Sequence, residues 1–534
     1  MTTAVRASLL LPLLIVLGAA LARADATSCR LQAPLKVFID GAWVEVSAGQ
    51  RLVIGRRGEQ FSNVASKQGL GRAANVLLDA RCRVGDAPVA STSAAPATAT
   101  APTAPTTPPL DVYRPRPCAR GQSEERCMRA QWERGRALLA HGDVDGAWSA
   151  FARLDELSLL ARDRRTEAFG AGLRRARLAT VRALPAASAE PQRTSSEPRA
   201  TVRIAAVGDV HLGRGNARPT PVVPPEHGRH FFDDVASVLR GADLTFGNLE
   251  TALYDVGESD KCARSGLPEQ CHAFRAPTAL APALAAAGFD VMSVENNHAT
   301  DFGTKGMLVT TAALVDAGIA PAGAGHIATL EKNGARIAVI AFAPYRGGLD
   351  VRDLEVARRA VAWLARTHDL VVVSFHAGAE GPEARHLPKG PEEYYGEPRG
   401  DVHAFAHAVV DAGADLVLGH GPHVLRAMER YRERLIAYSL GNFSSYRTFD
   451  VRGFGGETAV LEAELASDGA LVAARLHPVR LGSDGRPALD ATGAAVATVR
   501  ALSHEDLGDA LFDIDGRWPA RAGSGARAVS APQP

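Results

Sequence analysis

Between residues 202 and 481 the chain repeats one pattern: a short apolar run, then polar residues, then a stretch with helical spacing. Runs at 202–207, 244–246, 291–294, 337–341, 370–375, 416–418 and 435–439 read as strands. Stretches at 231–240, 278–287, 306–317, 351–366 and 402–412 read as helices. Strands that are apolar throughout must be covered on both faces, so the alternation predicts an α/β domain with buried sheets. The last runs, "ETAVLEAELA" and "LVAARLHPVRL", have no helix between them and read as antiparallel strands.

The flanking segments follow other rules. Residues 1–24 read as a secretory signal: one Arg, an apolar stretch, and a small-x-small site at Ala22-Arg23-Ala24. The stretch is shorter than the ~20 apolar residues of a membrane span, and nothing after it is long enough to cross a bilayer. Residues 25–86 alternate apolar and polar and predict a small β module. Residues 87–113 form an Ala/Thr/Pro-rich linker. Residues 114–184 predict a helical hairpin broken at His141-Gly142-Asp143. Trp132, Leu138, Ala147 and Phe151 form its inner face, and it reads as a packing spacer. A second linker covers 185–200, the large domain 201–484, and a variable tail 485–534, disordered after 520.

A formal net charge of +1 gives no reason to expect a nucleic-acid partner. Six cysteines fall into three local pairs, Cys29 with Cys82, Cys118 with Cys127, and Cys262 with Cys271. In an exported chain an even count suggests disulfides, with connectivity left open by sequence alone. These features predict a periplasmic or secreted protein.

Polar residues collect just after the predicted strands of the large domain. In chain order they are Asp209 and His211; Asn248 and Glu250; Asn296, Asn297, His298 and Asp301. Then come His376 and Glu380; His420 and His423; and Asn442. Any one alone is a turn former or a helix cap. Six such loops at strand ends predict a convergent site, because a sheet holds its loop tips close together. Carboxylate, amide oxygen and imidazole without thiolate suit Mn, Fe or Zn. One or two such ions acidify water and clamp a phosphoryl oxygen. His403 and His407, spaced i,i+4, lack the glutamate of the zinc-protease motif and read as a packed or partly exposed face, as do His227 and His230. Residues 389–401 read as a charged surface loop in which Glu397 and Arg399 would meet an anionic ligand.

The motifs "VGDVHLGR", "FGNLET", "FRAPTALAPALAAAGFDVMSVENNHATDFG", "SFHAGAEG", "DAGADLVLGHGPHVLR" and "AYSLGNF", in that order, resemble the CapA family of poly-γ-glutamate capsule biosynthesis proteins. The domain of that family is similar to calcineurin-like metallophosphoesterases. The resemblance spans 202 to about 481 and implies an αββα sandwich with its site at the strand carboxyl ends. It implies that Asp209 and His211 open the site, that Asn297 is a metal ligand, and that His298 is a candidate catalytic acid. His376, His420 and His423 match the later ligands. The phosphoesterase pattern has an aspartate-bearing motif where "GNLE" stands, so Glu250 has to bridge or the two-metal site is altered. "GHGPH" carries an extra residue between its histidines, and Glu295 stands where a small residue is expected. His211 is retained where many family members carry an aliphatic residue.

The expected metal ligands are therefore Asp209, His211, Glu250, Asn297, His376, His420 and His423, with Asn248, Asp301, Glu380 and Asn442 around them. The expected function is an exported protein of capsule or poly-γ-glutamate biosynthesis, with a metal-dependent hydrolase site for a phosphoester or for an envelope polymer. The other reading is a non-catalytic envelope factor that binds or exports an anionic polymer, together with other cell-envelope proteins.

Overall fold

The computed structural model describes strands within 27–84, residues 124–160 and 167–184, and residues 201–518 except 214–221, 258, 260, 262–271 and 346. The expected signal, both linkers, Cys118, Cys262 and Cys271 lie outside the described residues. The chain divides into two units, 1–104 and 105–534.

Among the described residues, the first unit carries seven strands: β1 (Thr27–Leu31), β2 (Leu35–Ile39), β3 (Ala42–Val46), β4 (Arg51–Arg57), β5 (Phe61–Ser66), β6 (Gly69–Ala74) and β7 (Cys82–Val84). They form one sheet in the order β3-β2-β6-β5-β4-β1-β7, all neighbours antiparallel. Cys29 lies opposite Val84, and Leu31 opposite Cys82, so the two cysteines sit on neighbouring strands.

In the second unit, one sheet is built on β8 (Thr201–His211), β9 (Leu244–Leu249), β12 (Val291–Ser293) and β13 (Ala320–Ala322), after the short pair β10 (Ala252–Leu253) and β11 (Arg275–Ala276). A second sheet is built on β14 (Ala328–Lys332), β15 (Ala335–Phe342), β16 (Leu370–His376) and β19 (Leu416–His420). Between β16 and β19 stands the hairpin of β17 (Glu392–Tyr394) and β18 (Glu397–Gly400), and β20 (Met428–Tyr431) and β21 (Arg434–Ala437) complete the second sheet. The chain then returns to the first sheet with β22 (Asn442–Ser445), β23 (Glu457–Ala466), β24 (Leu471–Leu481) and β25 (Pro487–Leu489). The orders are β13-β12-β9-β8-β23-β24-β25, with β22 also on β8, and β14-β15-β16-β19-β21-β20.

Residue parity assembles the layers, because successive strand side chains point to opposite faces. Ile204 and Ala206 of β8, and Ile337, Val339 and Ala341 of β15, fill one core between the sheets. Their alternates face outward: Ala205 and Val207 pack with helices Asp233–Gly241, Ala281–Ala287 and Gly303–Asp316. Ala338, Ile340 and Phe342 pack with helices Leu354–Ala365 and Val402–Asp411. The result is an αββα sandwich.

Two segments differ from the sequence reading. The expected hairpin at 114–184 is three helices, Glu124–Ala140, Val144–Leu160 and Glu167–Arg182. Its inner face includes Ala147 and Phe151, with Trp132 edge-on to Phe151 at 5.8 Å. Trp148, Leu178 and Val181 join the core around Trp363, whose indole N–H donates to Asp145, so these helices pack on the sandwich. The expected tail at 485–534 instead contributes β25 and helix Ala494–Leu507, and Val496, Val499 and Phe512 are buried in the core between the sheets. Its sequence is poor in large apolar groups, but small ones suffice against a sheet already formed.

One close approach sets the geometry at the end of β8. A Cβ on Gly208 would lie 2.0 Å from the Gly441 carbonyl oxygen, the same oxygen that accepts the Asp209 amide at 2.8 Å. Gly208→Ala therefore has to part β8 from the chain entering β22. Chemical denaturation is expected to show a loss of about 1–3 kcal/mol or more.

Candidate metal centre

Parallel register brings the strand ends level. Asp209 pairs with Asn248 across β8 and β9, His376 with His420 across β16 and β19, and Asn442 with Asp209 across β22 and β8. Each sheet therefore delivers polar side chains to one edge of the shared core. Asp209, His211 and Glu250 come from the first sheet, and His376 and His423 from the second and the loop after it.

Glu250 stands at the centre. It follows β9 directly, and its amide donates to the Val210 carbonyl at 3.1 Å. One carboxylate oxygen lies 3.2 Å from His211 Nε2; the other lies 3.4 Å from His376 Nε2, 3.8 Å from His423 Nε2 and 3.9 Å from His298 Nε2. Glu250 is fully buried, and neither oxygen has a hydrogen-bond partner. Both His211 nitrogens, His376 Nε2 and Asn297 Oδ1 are likewise buried and unpartnered. Native proteins rarely leave such atoms unpaired unless something else meets them. Two donor triads share this carboxylate, His211–Glu250–His423 and Asp209–Glu250–His376, each with its ligand atoms within 4.8 Å of one another. Oxygen and imidazole donors so arranged fit one or two divalent ions.

The surrounding groups hold the ligands in place. Asn248 donates to Asp209 at 2.8 Å, lies 3.1 Å from His376 Nδ1, and accepts from Asn296 at 3.1 Å. His423 Nδ1 lies 3.1 Å from both Asp209 and Asn442 Oδ1. The additional residue in "GHGPH" is absorbed by left-handed backbone at Gly421 (φ 110) and at His423 itself (φ 60), a strain of ~1–3 kcal/mol for the histidine. Asp301 accepts from His298 Nδ1 at 2.7 Å, from Lys261 at 2.5 Å and from the Phe274 amide at 2.7 Å.

His420 is placed differently from the other expected ligands. Its Nε2 faces the Val207 carbonyl at 3.1 Å and its Nδ1 the Phe375 carbonyl at 3.3 Å, so both nitrogens point at backbone rather than at Glu250. Glu380 stands at the rim, 3.9 Å from His423 and 2.8 Å from Arg399. Glu295 turns away from the cluster: it accepts from the Ala324 amide at 2.5 Å and faces Arg174 of the third helix.

The electrostatics of the cluster are strained. Burial pushes the Glu250 carboxyl well above the usual range. Burial acts the same way on Asp209, but the hydrogen bond and charge of His423 outweigh it and hold Asp209 well below its ordinary value. Burial lowers His423, yet Glu250, Asp209 and Glu380 together drive it up to about 10. Burial holds His211 and His376 well below the ordinary histidine value, neutral and in the form that binds metal.

The cavity above the cluster has a volume of about 470 Å³. Sequence reasoning missed Tyr345, which lines this cavity with a buried hydroxyl that has no partner. It lies beyond the apolar run of β15 in "FAPYRGG", where only contact with the later loops marks it. The Arg399 guanidinium, 5.5 Å over the Tyr345 ring, is held by Glu380 and Glu397.

The raised Glu250 carboxyl has a definite sign. Its contribution to the metal-free fold is fully present below the unfolded carboxylate pKa and lost as pH rises through the higher folded value. Glu250→Gln is therefore expected to raise the thermal midpoint of chelator-treated protein near neutral pH. The same variant should remove most of the stabilisation that added Mn or Zn gives the native chain. Thermal scans with and without metal check both outcomes.

Residues 203–447 match the family described as bacterial capsule synthesis protein PGA_cap. The chain is 31% identical over 258 residues to the capsule biosynthesis protein CapA of Bacillus anthracis, covering 44% of this chain and 58% of that protein. It is 28% identical over 258 residues to the PGA biosynthesis protein CapA of Bacillus subtilis, covering 44% of this chain and 61% of that one. The chain thus spans less than two thirds of either relative. A solved 5'-nucleotidase precursor from Thermus thermophilus aligns over 57% of this chain and 59% of its own, with 15% identity and a TM-score of 0.29. The strand-end motifs and these matches agree: the domain built on residues 203–447 is similar to the CapA family of bacterial capsule synthesis proteins.

Proposed function

We propose that this domain is a metal-dependent hydrolase working in the synthesis or remodelling of an anionic envelope polymer, outside the cytoplasm. The observation that carries the reading is the buried, unpartnered Glu250 carboxylate among three imidazoles. Asp209, His211, Glu250, Asn297, His376 and His423 would hold one or two divalent ions. Such ions, when bound, act as Lewis acids toward a phosphoryl or carbonyl oxygen and make water acidic enough to react near neutral pH.

The chain's own residues supply the rest. Asp301 fixes the proton of His298 on Nδ1, so Nε2 turns a lone pair toward Glu250 and the cavity. Nε2 is where a proton is taken up and returned to a leaving group. The Tyr345 hydroxyl, buried beside the cavity without a partner, is the donor for a substrate oxygen. The substrate is a phosphoester, or an amide or ester of the polymer itself. The relatives' descriptions as capsule and PGA biosynthesis proteins favour the polymer context.

Hydrolysis of p-nitrophenyl esters and phosphoesters by the Mn- or Zn-loaded chain tests the reading. His298→Ala is expected to lower kcat by ~10²–10⁴-fold with metal content unchanged. Tyr345→Phe should reduce kcat/KM by about tenfold, the worth of one hydrogen bond of ~1–1.5 kcal/mol. A purified chain without bound transition metal, and with activity unaltered by Asp209→Ala, overturns the proposal.

A second reading is a non-catalytic factor that holds the anionic polymer, supported by Lys261, Arg174 and Arg399 lining the same cavity. Polymer retention at low salt that survives Asp209→Ala and His423→Ala, with no turnover, would select it.

A further inference from the structure

The i,i+4 pair His403 and His407 lacks a glutamate in its own helix, but the fold brings one from elsewhere. Glu429 of edge strand β20 reaches the helix Val402–Asp411 with both oxygens 2.9–3.0 Å from His407 Nε2. The same carboxylate lies 4.0 Å from His403 Nε2, too far for a hydrogen bond. The three ligand atoms lie within 4.8 Å of one another, in a partly buried cluster that shares no residue with the Glu250 centre.

From these positions we infer that His403, His407 and Glu429 form a second divalent-metal site, which pins the helix to the edge strand. Helical spacing stacks the two imidazoles on one face, with centroids 4.1 Å apart. Each ring is oriented by an aromatic neighbour: His403 lies parallel to Tyr438 (11°) and His407 parallel to Tyr431 (12°). The Tyr438 hydroxyl donates to Glu429 at 2.5 Å and fixes the carboxylate, the kind of outer support that metal ligands carry. A hydrogen bond to Glu429 needs only one imidazole, and His407 provides it. The second, with Nε2 turned to the same carboxylate across a gap, is explained by an ion between them. Two nitrogens and one carboxylate oxygen suit Zn, Co, Ni or Cu rather than Mg or Ca. His403 is 39% exposed at its side chain, which leaves a coordination position to solvent.

The test is a Co²⁺ or Zn²⁺ titration of the full chain in a His211→Ala/His376→Ala background, where the Glu250 centre is disabled. One equivalent is expected to bind and raise the thermal midpoint. Adding His403→Gln should weaken that binding at least tenfold and remove the thermal gain, although the His407–Glu429 hydrogen bond remains intact. If circular dichroism shows that the background does not fold, His403→Gln alone is compared with the native chain, and a loss of one equivalent is expected. Metal binding and thermal response unaltered by His403→Gln, or no equivalent outside the Glu250 centre, overturns the inference. Neither readout depends on hydrolysis, so its failure is separate from failure of the hydrolase reading.

Discussion

The rest of the site is arranged around a carboxylate with nothing to bond. Glu250 is fully buried with both oxygens unpartnered, and an unpaired buried charge costs several kcal/mol. Protonation relieves that cost, and a bound cation would do the same. His211, His376 and His423 close on the same group, and each has a nitrogen within 4 Å of it. His211 and His376, kept neutral by burial beside an acid, make a poor salt bridge but a good ligand set.

That arrangement depends on two sheets packing in one register. The first sheet carries Asp209, His211 and Glu250, while the second ends in His376 at the same edge. The core between them, Ile204 and Ala206 against Val339 and Ala341, holds the separation that lets a Glu250 oxygen reach His376 at 3.4 Å. A shift of one residue in β8 would turn Asp209 and His211 toward the opposite face. The hydrogen bond from Asp209 N to Gly441 O, allowed because Gly208 has no side chain, locks that register where the strand changes partners.

Much of this is legible in the chain. Strand and helix order from 202 to 481 follows from apolar periodicity, and loops rich in Asp, Asn, Glu and His announce the site. Other parts are not. His420 and His423 have the same chemistry and stand three residues apart; only the left-handed backbone at Gly421 and His423 turns one toward Asp209 and leaves the other against carbonyls. Helix Ala494–Leu507 reads as part of a variable tail, because its small residues gain burial only against sheets built earlier in the chain. Glu429 gives no sign of belonging with His403 and His407, since β20 reaches that helix through sheet pairing rather than sequence proximity.

Periodicity and motif order are local properties, so the order of amino acids is enough to set the α/β alternation, the family resemblance, and the loops that carry the polar residues. Folding in three dimensions is what makes Glu250 the shared carboxylate, lines the cavity with Tyr345, and completes a histidine pair with Glu429. These are distances between residues far apart in the chain, set by strand register and sheet packing.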